Sequence, residues 1–355
     1  MGNVCQAALV KQNENVAADF NCGSIPDDCT IHMIICALDY KRTSNPLTCT
    51  MDGDNMKKLA QQCAVEDLTV MYDEECTSEK VEDAIRDVAS RVNDGDYFVF
   101  YYSGHGTSVD DEDGDEADGS DEAFCFVDPD GQISRDTIMT DDEFASIVSD
   151  CVPTTAKILI LTDCCHSGTI ADLKKSDWQD HAALSIAGCM DSQTSGDVGT
   201  GGIFSHSMLL AIQKIQEEEE EYSAGLLYNT TLAYDNAVFN SKQDITIQCS
   251  RSCRPDTFAW PLVPTQPYKS PMAQAISKVS GEQSEQVMTY GAPGEGGLGG
   301  ALGNVVNLAM ANPQLLQQAG INPALAQLAA SGMSGDIDVQ SLMQAGASSG
   351  ACAVM

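Results

Sequence analysis

The sequence predicts an α/β domain built on a largely parallel sheet with helices on both faces. Three observations carry this. Strand-length runs of apolar, β-branched and aromatic residues recur along the chain, and stretches of helical spacing alternate with them. Two runs stand out: Tyr97-Phe98-Val99-Phe100-Tyr101-Tyr102 and Lys157-Ile158-Leu159-Ile160-Leu161-Thr162 are nearly continuous in apolar side chains, as strands buried on both faces are. Each then stops at a polar cluster, Ser103-Gly104-His105-Gly106 after the first and Asp163-Cys164-Cys165-His166-Ser167-Gly168 after the second. The carboxyl ends of parallel strands are where α/β proteins collect ligands and chemistry. At 355 residues the chain can bury a sizeable core, in one large domain or two smaller ones.

Taken in order, a mixed polar segment, 1–30, precedes a first strand at 31–38. A loop over 39–50 leads to a helix at 52–63, in which Met56, Leu59 and Cys63 share a face. A second strand is expected at 68–72. The helix 79–92 is amphipathic, with Val81, Ala84, Ile85, Val88 and Val92 inward and Thr77 and Ser78 as candidate caps. The strand leading to His105 follows, then an acidic loop, a short helix at 141–148 and the strand leading to Cys165. Two further strands, 184–187 and 245–248, are separated by a helix around 205–216. From about 264 the composition turns to Pro, Gly, Ser and Gln, so 265–303 reads as a linker. Asn312-Pro313 and Asn322-Pro323 each place a capping residue before a proline suited to a first helical turn. On that basis 304–355 reads as a flexible tail of short helices.

Asp and Glu number 53 against 18 Lys and Arg, a formal net charge of −35. Such a charge argues against nucleic-acid binding and favours cations and basic substrates. The acidity is partly local, in the runs 110–122 and 217–221; the second reads as a solvated surface. Fifteen cysteines, odd in number and irregularly spaced, do not form a disulfide scaffold and point to a reducing, cytoplasmic setting. Cys36, Cys189 and Cys249 lie in strand-like runs and read as small buried hydrophobes. No secretory signal or apolar span of transmembrane length is expected.

A cysteine and a histidine at two strand ends form a plausible nucleophilic dyad. The motifs around them go further. Tyr101-Tyr102-Ser103-Gly104-His105-Gly106 and Asp163-Cys164-Cys165-His166-Ser167-Gly168 resemble the histidine and cysteine motifs of metacaspases, in matching order. Leu38-Asp39-Tyr40, Thr43-Ser44-Asn45-Pro46-Leu47, Cys49 and Asp52 resemble that family's segment after the first strand. Gly188-Cys189-Met190-Asp191-Ser192-Gln193-Thr194-Ser195 with Gly202-Ile203-Phe204-Ser205-His206 is similar to the start of its small-subunit region. The resemblance covers roughly 31–264, with a large-subunit-like part at 31–175 and a small-subunit-like part at 183–264. It implies a caspase-like fold with a six-stranded, mainly parallel sheet, calcium-dependent cysteine peptidase activity, and cleavage of proteins or peptides after Arg or Lys. The arrangement looks like that of type I members without their long leader, and a monomer is expected.

Residue by residue, the resemblance makes Cys165 the nucleophile and His105 its proton donor to the leaving amine, with backbone N–H groups of Gly106 and Cys165 as oxyanion donors. Cys164 is expected to be non-catalytic and His166 structural. Asp163, two residues before the nucleophile, falls on its side of an extended strand. Asp163 and Asp52 match the acidic residues of the specificity pocket and Ser103 a polar lining residue. Asp121, Asp141, Asp142 and Asp172 match the family's calcium-binding aspartates. Asp111, Asp113 and Asp115 compete with alternate EF-hand-like spacing, but Glu116 stands where such a loop needs glycine. Self-cleavage is expected at Lys174 or Lys175.

Both ends carry lipidation-like motifs. Met1-Gly2-Asn3-Val4-Cys5 resembles a myristoylation start at Gly2 with Cys5 as a palmitoylation candidate, although Gln6 replaces the preferred Ser or Thr. Cys352-Ala353-Val354-Met355 fits a prenylation box. They suggest attachment to the cytoplasmic face of a membrane. The rival reading from another class is a lipid-anchored, calcium-responsive adaptor with a caspase-like fold that does not cleave. An Asp-preferring peptidase conflicts with Asp163 and Asp52, which would repel that side chain.

Overall fold

In the computed structural model, residues 15–18, 25, 26 and 28–274 are described, apart from 111–118, 166, 191–192, 194, 197–199, 217–221, 240 and 242. Gly2, Cys5, Cys352, His166, the EF-hand-like Asp111, Asp113, Asp115 and Glu116, and the expected tail therefore lie outside the described residues.

The core is a six-stranded sheet. Its strands are β1 (Ile31–Ala37), β2 (Asp67–Tyr72), β3 (Tyr97–Ser103), β7 (Lys157–Asp163), β8 (Ala182–Ala187) and β9 (Thr246–Cys249), in the order β2-β1-β3-β7-β8-β9. All pairings are parallel except β8 with β9, which is antiparallel. Every residue of β3 is buried, as its unbroken apolar run requires. Alternation along the strands sends Tyr97, Val99, Tyr101, Leu159 and Leu161 to one face. There they meet α1 (Cys49–Gln62), α4 (Ile203–Gln216) and α5 (Ala224–Tyr234). Phe98, Phe100, Tyr102, Ile158 and Ile160 face the other way, against α2 (Ser78–Ala89) and α3 (Asp141–Cys151). Thr77 caps α2 by accepting from the Lys80 N–H.

The order places a topological switch between β1 and β3: the chain runs from β1 out to β2, then returns to lay β3, β7 and β8 on the other side. A crevice at the carboxyl ends of β1, β3 and β7 follows from that reversal. A second, antiparallel sheet stands over this end. It consists of β4 (Gly106–Asp110), β5 (Ser120–Cys125) and β6 (Ile138–Thr140). The sequence predicts an acidic loop there, because β5 carries Asp121 and Glu122; both are buried. The short α5 also goes unforeseen, since its apolar residues lie all round and give little helical periodicity. Residues 265–274, linker-like in composition, pack on α4: Tyr268 and Met272 are buried, and the Ser270 N–H donates to Gln213 Oε1 at 2.8 Å. Cys36 and Cys189 are buried as expected, whereas Cys249, on the edge strand, is half-buried.

Candidate active site

His105 sits at the corner between β3 and β4. Its backbone is clamped by two phenols. The His105 N–H donates to Tyr40 Oη at 2.8 Å, and its carbonyl accepts from Tyr102 Oη at 2.7 Å. Tyr40 Oη in turn donates to the Cys125 carbonyl at 2.6 Å. Burial holds both phenols well above their ordinary pKa, so they remain neutral donors. The Tyr40 ring also lies 4.4 Å from the imidazole, centre to centre. His105 Nε2 is 2.8 Å from the Asn45 carbonyl oxygen. A carbonyl only accepts, so Nε2 carries the hydrogen and Nδ1 is the nitrogen able to take up a proton.

Cys165 lies two residues beyond β7, in a bend rather than on the strand, so its relation to Asp163 is not that of two residues on one strand face. The bend is pinned at the Cys164 carbonyl, which accepts from Ser167 Oγ at 2.8 Å and Cys189 Sγ at 3.2 Å. Cys164 is buried, and desolvation pushes its thiol well above the ordinary range, which suits a packing residue rather than a nucleophile. The histidine and cysteine corners meet backbone to backbone. A Cβ placed on Gly106 would overlap the Cys165 carbonyl oxygen, so only glycine permits this approach.

Beside this contact, two buried carboxylates, Asp163 and Asp52, face a strap of backbone. Asp163 Oδ1 accepts from Ser195 Oγ at 2.6 Å, and its Oδ2 accepts from the Ser205 N–H at 2.9 Å and Ser205 Oγ at 2.8 Å. Asp52 Oδ2 accepts from Ser103 Oγ at 3.1 Å and from the Gly202 N–H at 2.9 Å. The strap itself, 200–202, is held by Thr48 Oγ1, which accepts from the Gly201 N–H, and by His206 Nε2 on the Thr200 carbonyl. A Cβ on Gly201 would strike Asp52, and one on Gly202 would strike Asp163. Gly201 has φ +120°, a further reason for glycine.

These corners, their order along the chain and the strands beneath them match a known family. Residues 32–174 match the family Metacaspase, peptidase C14 domain. This segment is a metacaspase peptidase domain. Metacaspase-2 of Arabidopsis thaliana is 26% identical over 244 residues, covering 59% of this chain and 57% of the relative. Metacaspase-1 of Schizosaccharomyces pombe is 34% identical over 152 residues, 39% of this chain and 34% of that one. The chain thus spans little more than half the length of the plant relative. A solved structure from Geobacter sulfurreducens aligns over 67% of this chain and all of its own, with a TM-score of 0.51 at 23% identity, a likeness of fold.

The remaining acidic residues of this metacaspase domain gather behind the cysteine bend. Asp141 and Asp142 open α3, whose Thr140 cap and Glu143 form a capping box. The Lys175 ammonium pairs with Asp142 Oδ1 and lies 3.5 Å from Asp172 Oδ2. Asp141 is fully buried; desolvation pushes its pKa up to about 8, Lys175 partly offsets this, and repulsion from Glu122 and Asp142 adds to it. Its Oδ2 has no hydrogen-bond partner in the structure. Thr169 Oγ1 donates to Glu122 Oε2 at 2.7 Å, and the Asp172 backbone has φ 33°, a conformation that costs an L residue. An all-oxygen donor set with surplus negative charge and an orphaned carboxylate oxygen suits calcium chemically. Yet among the described residues no three His, Cys, Asp or Glu side chains stand ready to hold a metal. Here the carboxylates are arranged around an ammonium.

Of the expected site residues, the structure gathers Cys165, His105 and Gly106 at one point and Asp163, Asp52 and Ser103 at a second. Asp141, Asp142 and Asp172 gather around Lys175, with Asp121 buried on β5 nearby in sequence to Glu122. Lys174 is exposed, whereas Lys175 is turned inward. Tyr40, Asn45, Ser195 and Ser205 fall in the family-like segments and Glu122 in the acidic run, but the sequence assigns none of them a role. Nothing in their spacing reveals them, since each acts through a partner at least 30 residues away or through its backbone.

Proposed function

We propose that the protein is a calcium-dependent cysteine endopeptidase that cleaves after Arg or Lys. The observation that carries this is the backbone contact between the His105 and Cys165 corners, with the imidazole oriented by the Asn45 carbonyl. In the proposed reaction the Cys165 thiolate attacks the peptide carbonyl carbon and forms the C–S bond. Charge developing on the carbonyl oxygen falls to the N–H groups of Gly106 and Cys165. Collapse breaks the C–N bond as His105 gives its proton to the leaving amine. A water, deprotonated by His105, then attacks the thioester and releases the thiolate.

Preference for a basic side chain is supported by Asp163 and Asp52, which are buried and already accept hydrogen bonds from N–H and hydroxyl donors. A guanidinium offers the same donors with charge, and takes carboxylates in a fork. Entry requires the strap at 200–202 to give way, because its Gly202 N–H occupies Asp52 Oδ2. Calcium, when bound, would supply the positive charge that lets Asp141, Asp142 and Asp172, with Asp121, crowd together. Anchoring through Gly2, Cys5 and Cys352 is a separate proposal, tested by the intact mass of native protein: absence of every lipid adduct would end it.

The direct test is hydrolysis of fluorogenic peptides ending in Arg, Lys or Asp, with and without calcium. Arginyl and lysyl peptides should be cut in calcium, and Cys165→Ala should lose all turnover while keeping the wild-type circular dichroism spectrum. Preferential cleavage of the aspartyl peptide would refute the specificity, and activity in Cys165→Ala would refute the dyad.

A further inference from the structure

The side chain of Lys175 is only 16% exposed, and its charge is spent among carboxylates: Asp142 in contact, Asp172 at 3.5 Å, and Asp141 close enough to feel its field. Such burial is unusual for lysine, which ordinarily keeps its ammonium in water. The neighbouring Lys174 does keep to the surface. Two features show that the cluster is not satisfied by this one charge. Asp141 Oδ2 is buried without a hydrogen-bond partner, and Glu122 from β5 adds further negative charge. The turn that carries Lys175 is also strained, with Asp172 held at φ 33° and the Lys175 N–H donating to the Asp172 carbonyl at 3.0 Å.

We infer that the Lys175 ammonium is a built-in counter-cation that occupies the aspartate cluster in place of a divalent cation, and that the cation binds by expelling it. This rests on the calcium reading above and deepens it. One ammonium supplies a single charge and three donors. A divalent ion supplies twice the charge and takes six or more oxygens, including the orphaned Asp141 Oδ2. Exchange therefore gains at the cluster and lets the Lys175 side chain swing to solvent, where it becomes accessible. The turn 169–175 joins the cluster to the cysteine bend, so the exchange reaches Cys165 along the chain from Asp172 and Lys175, 7 and 10 positions after it. In the closed state Lys175 is withheld from any protease; in the cation-bound state it is presented.

The competition is reciprocal, so it can be read from either partner without any catalytic turnover. The experiment uses full-length Cys165→Ala protein and calcium titrated by isothermal calorimetry. Removing a unit charge this close to the ligands in Lys175→Gln should lower the calcium Kd about tenfold or more, whereas Lys174→Gln should match the parent. Lys175→Arg, which keeps the charge, should bind no more tightly than the parent, and Asp172→Ala should bind more weakly. On the parent protein, labelling with an amine-reactive reagent followed by mass spectrometry should show Lys175 modified faster in calcium and Lys174 unchanged; this reading survives if the Gln variant fails to fold. Equal calcium affinity in Lys175→Gln and parent, or Lys175 labelling that calcium does not accelerate, would overturn the lock and leave the calcium site standing. Failure of both the parent and Lys175→Gln to bind calcium would overturn the site and the lock together.

Discussion

Tyr40→Phe isolates how the histidine corner is held, because it removes one oxygen and leaves the ring in place. That oxygen accepts from the His105 N–H at 2.8 Å and donates to the Cys125 carbonyl at 2.6 Å, with Tyr102 Oη 2.9 Å away. Tyr40 is 2% exposed, so water does not replace the lost acceptor. The Cys125 carbonyl keeps Tyr102 Oη within 3.0 Å, but the buried His105 N–H loses the Tyr40 oxygen as its acceptor. An orphaned buried donor costs about 1–3 kcal/mol, and the lost hydrogen bond to Cys125 adds about 1 kcal/mol. A loss of about 2–4 kcal/mol follows, which in a domain of this size lowers Tm by about 4–16 °C. The same loss loosens the backbone that aims the imidazole. Since misplacing a catalytic group by about 1 Å can cost 100-fold in rate, kcat on an arginyl peptide should fall at least about tenfold with little change in KM. Tyr102→Phe is the control: the His105 carbonyl keeps the Cys125 N–H at 3.1 Å, so no backbone group is orphaned there and the loss should be smaller. Differential scanning calorimetry and steady-state kinetics on the three proteins decide the matter. A Tyr40→Phe protein within about 2 °C of wild-type Tm and with wild-type kcat would show that the phenol does not hold the corner.

Gly202→Ala drives a methyl group into the Asp163 carboxylate. It should cost about 1–3 kcal/mol of stability by overpacking and lower kcat/KM on arginyl peptides at least about tenfold; unchanged kinetics would mean that the strap does not rest on the pocket. Asp235, at the end of α5, is buried with Oδ1 unpartnered, and burial raises its pKa to about 6. Its folded pKa lies above the unfolded value, so the native state holds the proton longer and stability falls as pH rises from about 4 through about 6. Asp235→Asn should remove that slope and be more stable than wild type at pH 7.5 by about 1–3 kcal/mol. Parallel stability curves from pH 4 to 7.5 would count against it.

What the sequence determines by itself is whatever local physics writes into consecutive residues. The continuous apolar runs at β3 and β7 announce strands buried on both faces, and each delivers its polar cluster to the same end of the sheet. That is enough to read the fold class and to put Cys165 and His105 side by side. The small sheet stays hidden because β5 buries Asp121 and Glu122, and pattern reasoning assigns such residues to solvent. The resemblance already pairs Asp52 with Asp163; only the tertiary structure sets Ser205 on Asp163 and Gly202 on Asp52, the latter across 150 residues. It alone decides that Lys175, spaced like its exposed neighbour Lys174, turns inward. The reason is electrostatic: aspartates from the start of α3 and from the turn after the cysteine bend converge only when β7 and α3 pack, and their combined charge, invisible along the chain, draws the ammonium in.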